Sequence, residues 1–250
     1  MQNSSFSLDG KVAIVTGCRR GIGKAIALGF AEAGADVVCC DLITGDGELD
    51  EVAKQVRTLG RRSLVVKADV TNKIDIDNLV KQALDEFKTI DVLVNNVGVM
   101  VRKPLMEYSE EEWDKVLDIN LKSTFLCSQA VSRVMIPVKK GSIINLSSVC
   151  AVKASTTRGG YHVAKAGVSM LTRTLALEIA ASNVRVNAIA PGGVKTDWNT
   201  WEWNSPENEL KPMKRMAETR EIVGGAIFLA SEASSYMTGH ILFMDGGESL

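Results

Sequence analysis

The sequence predicts an α/β fold, a doubly wound parallel sheet with helices on both faces, and three observations carry that prediction. Short apolar, β-prone runs alternate with stretches of helical length along the chain. The first run, Val12–Thr16, passes straight into a glycine turn and an alanine-rich helix. Polar residues stand at the ends of the runs, at Asp41, Asp69, Asn95 and Ser148, where parallel sheets hold their ligands.

Taken in order, Val12–Thr16 reads as a strand, and GCRRGIG leads from it into a helix ending near Gly34. Gly17, Gly21 and Gly23 allow backbone conformations and close approaches that a Cβ blocks, while the free N–H groups of the helix start favour a phosphate. The spacing is GxxxGxG rather than GxGxxG. Asp36–Cys40 is the second strand, and Asp41 at its tip is placed to accept hydrogen bonds from the ribose hydroxyls of an adenosine. The same carboxylate repels a 2′-phosphate, which argues for NAD over NADP. Arg19 and Arg20 keep NADP open, because a guanidinium in the glycine turn neutralises such a phosphate, although solvated surface is the plainer account of both.

Glu48–Leu59 reads as a helix and Ser63–Ala68 as a strand, with Asp69 and Val70 in a loop within reach of an adenine. Lys73–Phe87 is helical, and Ile90–Val94 is a strand running into NNVG at Asn95–Gly98. Ser109 opens SEEE, a capping-box pattern that starts the helix leading to Asn120. An amide is a poor helix former in the middle of VLDINLKSTF, and position alone assigns Asn120 a structural role. Ser142–Ser147 is a buried-looking strand; Val184–Ala190 is another, closed by Pro191 and Gly192. The segment after it lacks periodicity and carries Trp198, Trp201 and Trp203. Ile222–Ala230 is the last helix and Ile241–Met244 the last strand, before DGG.

The stretch SVCAVKASTTRGGYHVAK, Ser148–Lys165, carries the chemistry. Tyr161 and Lys165 are four apart, so on a helix they lie on one face within about 6 Å. A cation beside a phenol favours the phenolate and lowers a pKa that is ordinarily about 10. Tyr161 then both gives and takes a proton, and Ser148, in the loop before the helix, reaches the same pocket to hydrogen-bond a substrate oxygen. Carbonyl reduction or alcohol oxidation follows from that trio, although Tyr and Lys at this spacing also arise by chance. Cys150 reads as pocket lining rather than a nucleophile, since neither histidine is placed to activate it. His162, about 100° around the helix from Tyr161, faces elsewhere, and His240 reads as structural. No carboxylate or histidine cluster suggests a metal site. Arg102, Lys103 and Arg158 lie in loops near the pocket, where a cation holds a carboxylate, though solvated surface also explains each.

Size and composition agree with a soluble enzyme. The 250 residues are 46% hydrophobic and 24% charged, with a formal net charge of -1 and no long block of one sign, which argues against nucleic acid or an anionic membrane as a general partner. Five cysteines without a CxxC fit reduced thiols of the cytoplasm. The start, MQNSSFSLDGK, lacks the pattern of a signal peptide, no apolar run is long enough to span a bilayer, and no composition break divides the chain, so one domain is expected over 1–250.

With TGCRRGIG, Asp69, NNVG, Asn120, Ser148, YHVAK, PGGVKT and DGG in order, the chain resembles the short-chain dehydrogenase/reductase family along nearly its whole length. The thirteen residues from Ser148 to Tyr161 are similar to the family's usual step. The resemblance implies a Rossmann-type domain with a substrate lid at about 194–212. It implies Tyr161 as general acid/base, Lys165 lowering its pKa and binding the nicotinamide ribose, Ser148 holding the substrate oxygen, and Asn120 supporting a water-linked proton path to Lys165. That reverses the structural reading of Asn120. Implied cofactor contacts are Gly17, Arg20, Gly21, Ile22, Gly23, Asp41, Asp69, Val70, Asn96, Gly98, Tyr161, Lys165, Pro191, Gly192, Val194 and Thr196; implied substrate contacts are Ser148, Cys150, Tyr161 and Trp198. Val97 stands where the family most often has alanine. The stretch from Asn95 to Ser123 is similar to gluconate and deoxygluconate dehydrogenases, and the same layout serves 3-oxoacyl carrier-protein reductases. The expectation is an NAD-dependent, cytoplasmic, homotetrameric oxidoreductase of a secondary alcohol or ketone. The alternatives are an NADPH-dependent 3-oxoacyl carrier-protein reductase and a cofactor-binding sensor or scaffold without turnover.

Overall fold

The computed structural model describes residues 4–250. Seven parallel strands form one sheet: β1 (Val12–Thr16), β2 (Asp36–Asp41), β3 (Ser63–Lys67), β4 (Val92–Asn95), β5 (Gly141–Leu146), β6 (Val184–Pro191) and β7 (Ile241–Met244). Their order is β3-β2-β1-β4-β5-β6-β7. Central strands are mainly apolar because both faces are covered, and every residue of β1 is buried. The direction of winding reverses between β1 and β4, which opens a crevice beyond their carboxyl ends.

The helices are α1 (Gly21–Glu32), α2 (Glu48–Thr58), α3 (Lys73–Phe87), α4 (Glu110–Leu117), α5 (Ser123–Val138), α6 (Gly159–Ile179) and α7 (Arg220–Ala230). On one face α1, α2 and α7 bury Ile26, Phe30, Leu49, Val52, Ile222 and Leu229 against the sheet. On the other, α3, α5 and α6 bury Ile76, Leu79, Val131, Met135 and Ile179. Both hydrophobic stripes are thereby removed from water.

Most bounds shift by a residue or two from the sequence expectation, and two of the differences have a cause in side-chain hydrogen bonds. β4 starts at Val92 rather than Ile90, because the buried Asp91 carboxylate accepts the Val12 N–H at 3.0 Å and pairs with Lys140 at 2.6 Å. The helix expected to lead from Ser109 to Asn120 starts on its capping box, with Ser109 Oγ accepting from Glu112 N–H and Glu112 Oε2 accepting from Ser109 N–H. It then widens into a π turn at Asp118–Lys122. Asn120 Nδ2 donates to Val116 O and Val99 O, both at 2.8 Å, while Ser123 and Thr124 hydroxyls donate back to Ile119 O and Asn120 O. Such side-chain intrusions expand a helical turn, and π turns of this kind mark functional sites.

Among the described residues no helix is long and apolar enough to cross a membrane. Residues 1–3 lie outside the described residues, together with the parts of the expected 1–250 domain and the expected leader-free start that fall on them.

Candidate active site

The glycine turn joins β1 to α1. Gly17 and Gly21 take positive φ, +65° and +59°, where a side chain is strained. Gly23 is required for a different reason: a Cβ there falls 2.3 Å from Gly17 O. Asn96, expected to touch the cofactor, ties the turn down; its Nδ2 donates to Thr16 O at 3.0 Å and Gly17 O at 2.9 Å. Arg20 is exposed and, as N-cap of α1, offers no side-chain acceptor, so the first-turn N–H groups stay available to a ligand. Ile22 packs on the core behind them.

Arg19 corrects its solvated-surface reading. Its side chain is only 11% exposed and pairs with Asp46 and with Glu48 at 2.6 Å, while its Nε lies 4.0 Å from Asp41. One guanidinium thus faces three carboxylates at the tip of β2. Asp41 Oδ1 accepts the Ile43 N–H at 3.0 Å, which orients the carboxylate at the strand end. Asp69 shapes its own loop, Oδ1 accepting the N–H and hydroxyl of Thr71, and Val70 beside it is buried.

At the end of β5, Ser148 is extended and its Oγ accepts the Cys150 N–H at 3.1 Å. Cys150 is buried beneath it. Tyr161 and Lys165 share one face of α6, the ammonium 5.5 Å from the centre of the phenol ring. The ring is partly exposed, but Lys165 is 3% exposed, and its Nζ donates to Leu146 O at 2.6 Å. Burial lowers the Lys165 pKa to about 8, with the Cys150 thiol opposing. Tyr161 departs from the sequence expectation. Burial raises its pKa, Cys150 adds to the rise, and the Ser148 hydroxyl and the Arg158 charge only partly offset it. Desolvation is the largest cause, and the ammonium's hydrogen bond goes to the Leu146 carbonyl rather than to the phenol.

Asn120 is fully buried, and its Oδ1 has no hydrogen-bond partner. A Cβ on Gly98 falls 2.8 Å from that oxygen and 3.5 Å from Lys165 Nζ, so glycine keeps a space open between amide and ammonium. An unmet buried acceptor beside such a space suits a bound water or ribose hydroxyl.

The roof comes from the segment after β6. Gly192 N–H donates to Met244 O at 3.2 Å and Gly193 N–H to Glu248 Oε1 at 2.8 Å. Pro191 ends β6, Val194 is buried and bridges to Ala217. Thr196 donates its N–H and hydroxyl to Asn199 Oδ1, and its methyl lies over Gly21. Trp198 packs on Tyr161, ring centres 6.5 Å apart. Trp201 lies under the Arg102 guanidinium at 5.5 Å. Trp203 lines a cleft with Gly21, Lys24 and Thr196. Arg102 and Arg158 both engage Glu202 Oε1, the latter at 3.0 Å, whereas Lys103 is held by Glu112 at 2.7 Å. Sequence reasoning placed the two arginines near the pocket and missed Glu202, since nothing in local spacing links residues so far apart. His162 stays aside, its Nε2 accepting the Ser155 N–H at 3.2 Å.

These residues fit a dinucleotide: positive-φ glycines, an uncapped helix start, an acidic strand tip and a buried unmet amide oxygen follow one another along the crevice. Such an arrangement belongs to oxidoreductases that exchange hydride with a nicotinamide cofactor. Comparison with known proteins narrows the class. Residues 17–249 match the family described as enoyl-(acyl carrier protein) reductase. The 2-dehydro-3-deoxy-D-gluconate 5-dehydrogenase of Escherichia coli K12 is 40% identical, covering 98% of this chain and 97% of the relative. The 3-oxoacyl-[acyl-carrier-protein] reductase of Synechocystis is 39% identical, covering 96% and 98%. The structure of a gluconate 5-dehydrogenase from Burkholderia cenocepacia in complex with NADP and tartrate superposes with a TM-score of 0.93 at 33% identity, covering 98% of each chain. The chain belongs to the short-chain dehydrogenase/reductase family.

Proposed function

We propose that the protein is an NAD(H)-dependent oxidoreductase that interconverts a secondary alcohol and a ketone on a small hydroxy or oxo acid of the sugar-acid class. The observation that carries this reading is the grouping of Ser148, Tyr161 and a buried Lys165 at the carboxyl end of the sheet, with two guanidiniums at its mouth. Support for an acid substrate comes from the excess positive charge of Arg102 and Arg158 and from the likeness to gluconate and deoxygluconate dehydrogenases.

When bound, an oxidised nicotinamide accepts the hydride and adds positive charge beside the phenol. Ser148 Oγ holds the reacting oxygen, and Tyr161 takes its proton during oxidation or returns it during reduction. Lys165 holds a cofactor ribose and, with that second cation present, favours the phenolate that burial alone opposes. Asn120 Oδ1 and Lys165 bracket the space through which the proton passes toward solvent. Trp198, with the lid over 194–212, excludes water from the reacting carbon. Gly17, Gly21 and Gly23 admit the pyrophosphate, Asp41 takes the adenosine ribose, and Asp69 and Val70 flank the adenine.

NAD is preferred because Asp41, Asp46 and Glu48 outnumber the one arginine among them, and a 2′-phosphate there meets net negative charge. NADP is the alternative, as found in the Burkholderia neighbour. The 39% identity to the Synechocystis enzyme favours a second reading, reduction of a 3-oxoacyl thioester with NADPH. A homotetramer is supported by Val163, Met170 and Leu177, exposed at seven-residue steps along one face of α6, and light scattering reads it directly. Five free buried thiols support the cytoplasm.

The test follows absorbance of the reduced nicotinamide for a panel of sugar acids, neutral alcohols and an acetoacetyl thioester, with NAD and NADP in parallel. The expected result is turnover of acids with NAD, and at least a 10²-fold loss of kcat in Tyr161→Phe with NADH affinity retained. Thioester reduction with NADPH favours the second reading. Tight NADH binding without turnover across the panel favours a sensor and refutes both.

A further inference from the structure

We infer that Glu202 is an internal carboxylate lodged in the site that receives the substrate's own carboxylate, so that an acidic substrate enters by displacing it and releasing the lid turn. This rests on the acid-substrate reading above and deepens it.

The receiving site is fixed before any ligand arrives. Arg102 and Arg158 lie on segments distant in sequence, but a parallel bridge between Lys103 and Arg158 holds the two segments side by side. Tyr108 adds a brace from the first segment, its hydroxyl donating to Val101 O at 2.6 Å. Both guanidiniums converge on one oxygen, Glu202 Oε1. Among the described residues neither arginine pairs with a second carboxylate, so two cations face one anion. The nearby ammonium of Lys103 is already neutralised by Glu112.

Glu202 is a replaceable occupant. Its second oxygen, Oε2, accepts only the Asn199 amide at 3.3 Å, and that amide makes its shorter bond to Val194 O at 2.9 Å. Docking through one oxygen leaves unused the paired geometry by which a guanidinium grips both oxygens of a carboxylate. The three side chains are 23–34% exposed, so a solute reaches them without unfolding the lid. An incoming carboxylate restores every arginine contact that Glu202 gives up.

Position ties the exchange to the reaction. Arg158 precedes Tyr161 by three residues, and Trp198 of the lid packs on the Tyr161 ring. Glu202 closes the turn Thr200–Glu202, whose Trp201 lies under Arg102. Displacing Glu202 therefore loosens the turn that follows the Tyr161 cover. A neutral alcohol has no means of displacing it and binds against a closed lid. Glu202 thus sets specificity by selecting for substrates that carry a competing charge, and it taxes the affinity of every acidic one.

The test compares the parent with Glu202→Gln, using D-gluconate as the acidic probe and D-glucitol as its neutral counterpart. Binding is read from lid tryptophan emission in the presence of NADH, and KM from the nicotinamide assay. The expected result is D-gluconate affinity raised about three- to tenfold in Glu202→Gln, with KM lowered by the same factor and the gain confined to the acid. Glu202→Ala is expected to repeat the gain, and Arg102→Met with Arg158→Met to abolish D-gluconate binding; NADH affinity equal to the parent's certifies folding in each. D-Gluconate affinity unchanged or weaker in both Glu202 variants, or binding to neither parent nor variant, overturns the inference. If affinity rises as expected while only neutral alcohols turn over, the role of Glu202 stands and the acid-substrate reading falls.

Discussion

Replacing Lys165 by methionine is expected to make the cofactor-free protein more stable while destroying its activity. The ammonium is 3% exposed, donates one hydrogen bond, to Leu146 O, and among the described residues has no carboxylate partner. Burial lowers its pKa from 10.5 to about 8. At about 1.4 kcal/mol per pH unit, the charged side chain costs the folded state roughly 3 kcal/mol at neutral pH. Methionine removes that cost and leaves Leu146 O without its donor, which returns about 1–2 kcal/mol. The net gain is about 1–2 kcal/mol, or roughly 3–6 °C in Tm for a chain of this size. The sign with pH is fixed by linkage: between about 8 and 10.5 the unfolded parent holds a proton that the folded one has lost, so the parent's stability rises across that window. The advantage of the variant therefore shrinks as pH climbs, vanishes within that window once the parent has gained about 1–2 kcal/mol, and reverses toward the upper end. Thermal unfolding without cofactor at neutral and high pH measures it, and turnover in the same preparations is expected to fall by about 10²–10⁴. A variant less stable than the parent at neutral pH, or a difference independent of pH, refutes the claim that the folded protein carries an uncompensated charge.

Two further substitutions probe the crevice. Gly23→Ala puts a methyl 2.3 Å from Gly17 O and 2.5 Å from Asn96 Nδ2, so the turn shifts; NADH titration is expected to show at least a tenfold loss, with about 1–3 kcal/mol lost in urea unfolding, and parent-like affinity excludes the close approach. Asp41→Ala removes one of the three carboxylates around Arg19 and the acceptor for a ribose hydroxyl. The ratio of kcat/KM for NADP over NAD is expected to rise about 10–100-fold, and a ratio that stays put shows that β2 does not read the phosphate.

What was legible in the sequence was local or periodic. β1, α3 and β7 have the bounds read from their apolar runs, because glycine, asparagine or charged residues punctuate both ends and nothing tertiary overrides them. Tyr161 and Lys165 meet because a helical repeat brings them together whatever surrounds it. The π turn was hidden, since Asn120 widens it by donating to Val99 O, a loop carbonyl outside its own helix. Charge was legible only as composition. Arg19 reads as surface until Asp46 and Glu48 fold over it, and Glu202 lies 100 residues from Arg102 and 44 from Arg158, beyond any spacing rule. The raised pKa of Tyr161 in the cofactor-free chain has a related cause: sequence shows a cation one turn away but not the water that burial removes.

The register of α6 on the sheet has to be fixed more tightly than apolar packing allows, because sliding the helix by one turn, about 5.4 Å, carries Tyr161 away from Ser148. Buried polar contacts supply that constraint. Asn95 Nδ2 donates to Asn145 Oδ1 and Ser128 Oγ, and Asn145 Nδ2 donates to Thr172 Oγ1 on α6, each at 2.9 Å. Ser147 Oγ donates to Lys165 O at 3.1 Å and lies 2.8 Å from Ser169 Oγ. Lys165, Ser169 and Thr172 occur at i, i+4 and i+7, so one face of the helix is bonded at three levels to Asn145 of β5 and to Ser147 just beyond it, with Asn95 of β4 backing Asn145. Apolar side chains there would bury as much area and tolerate slippage; a shift of even 1 Å breaks several of these bonds and strands their partners without water. The amides of β4 and β5 therefore locate the proposed acid/base residue relative to the serine that follows β5, and they do so from beneath the site, without touching a ligand.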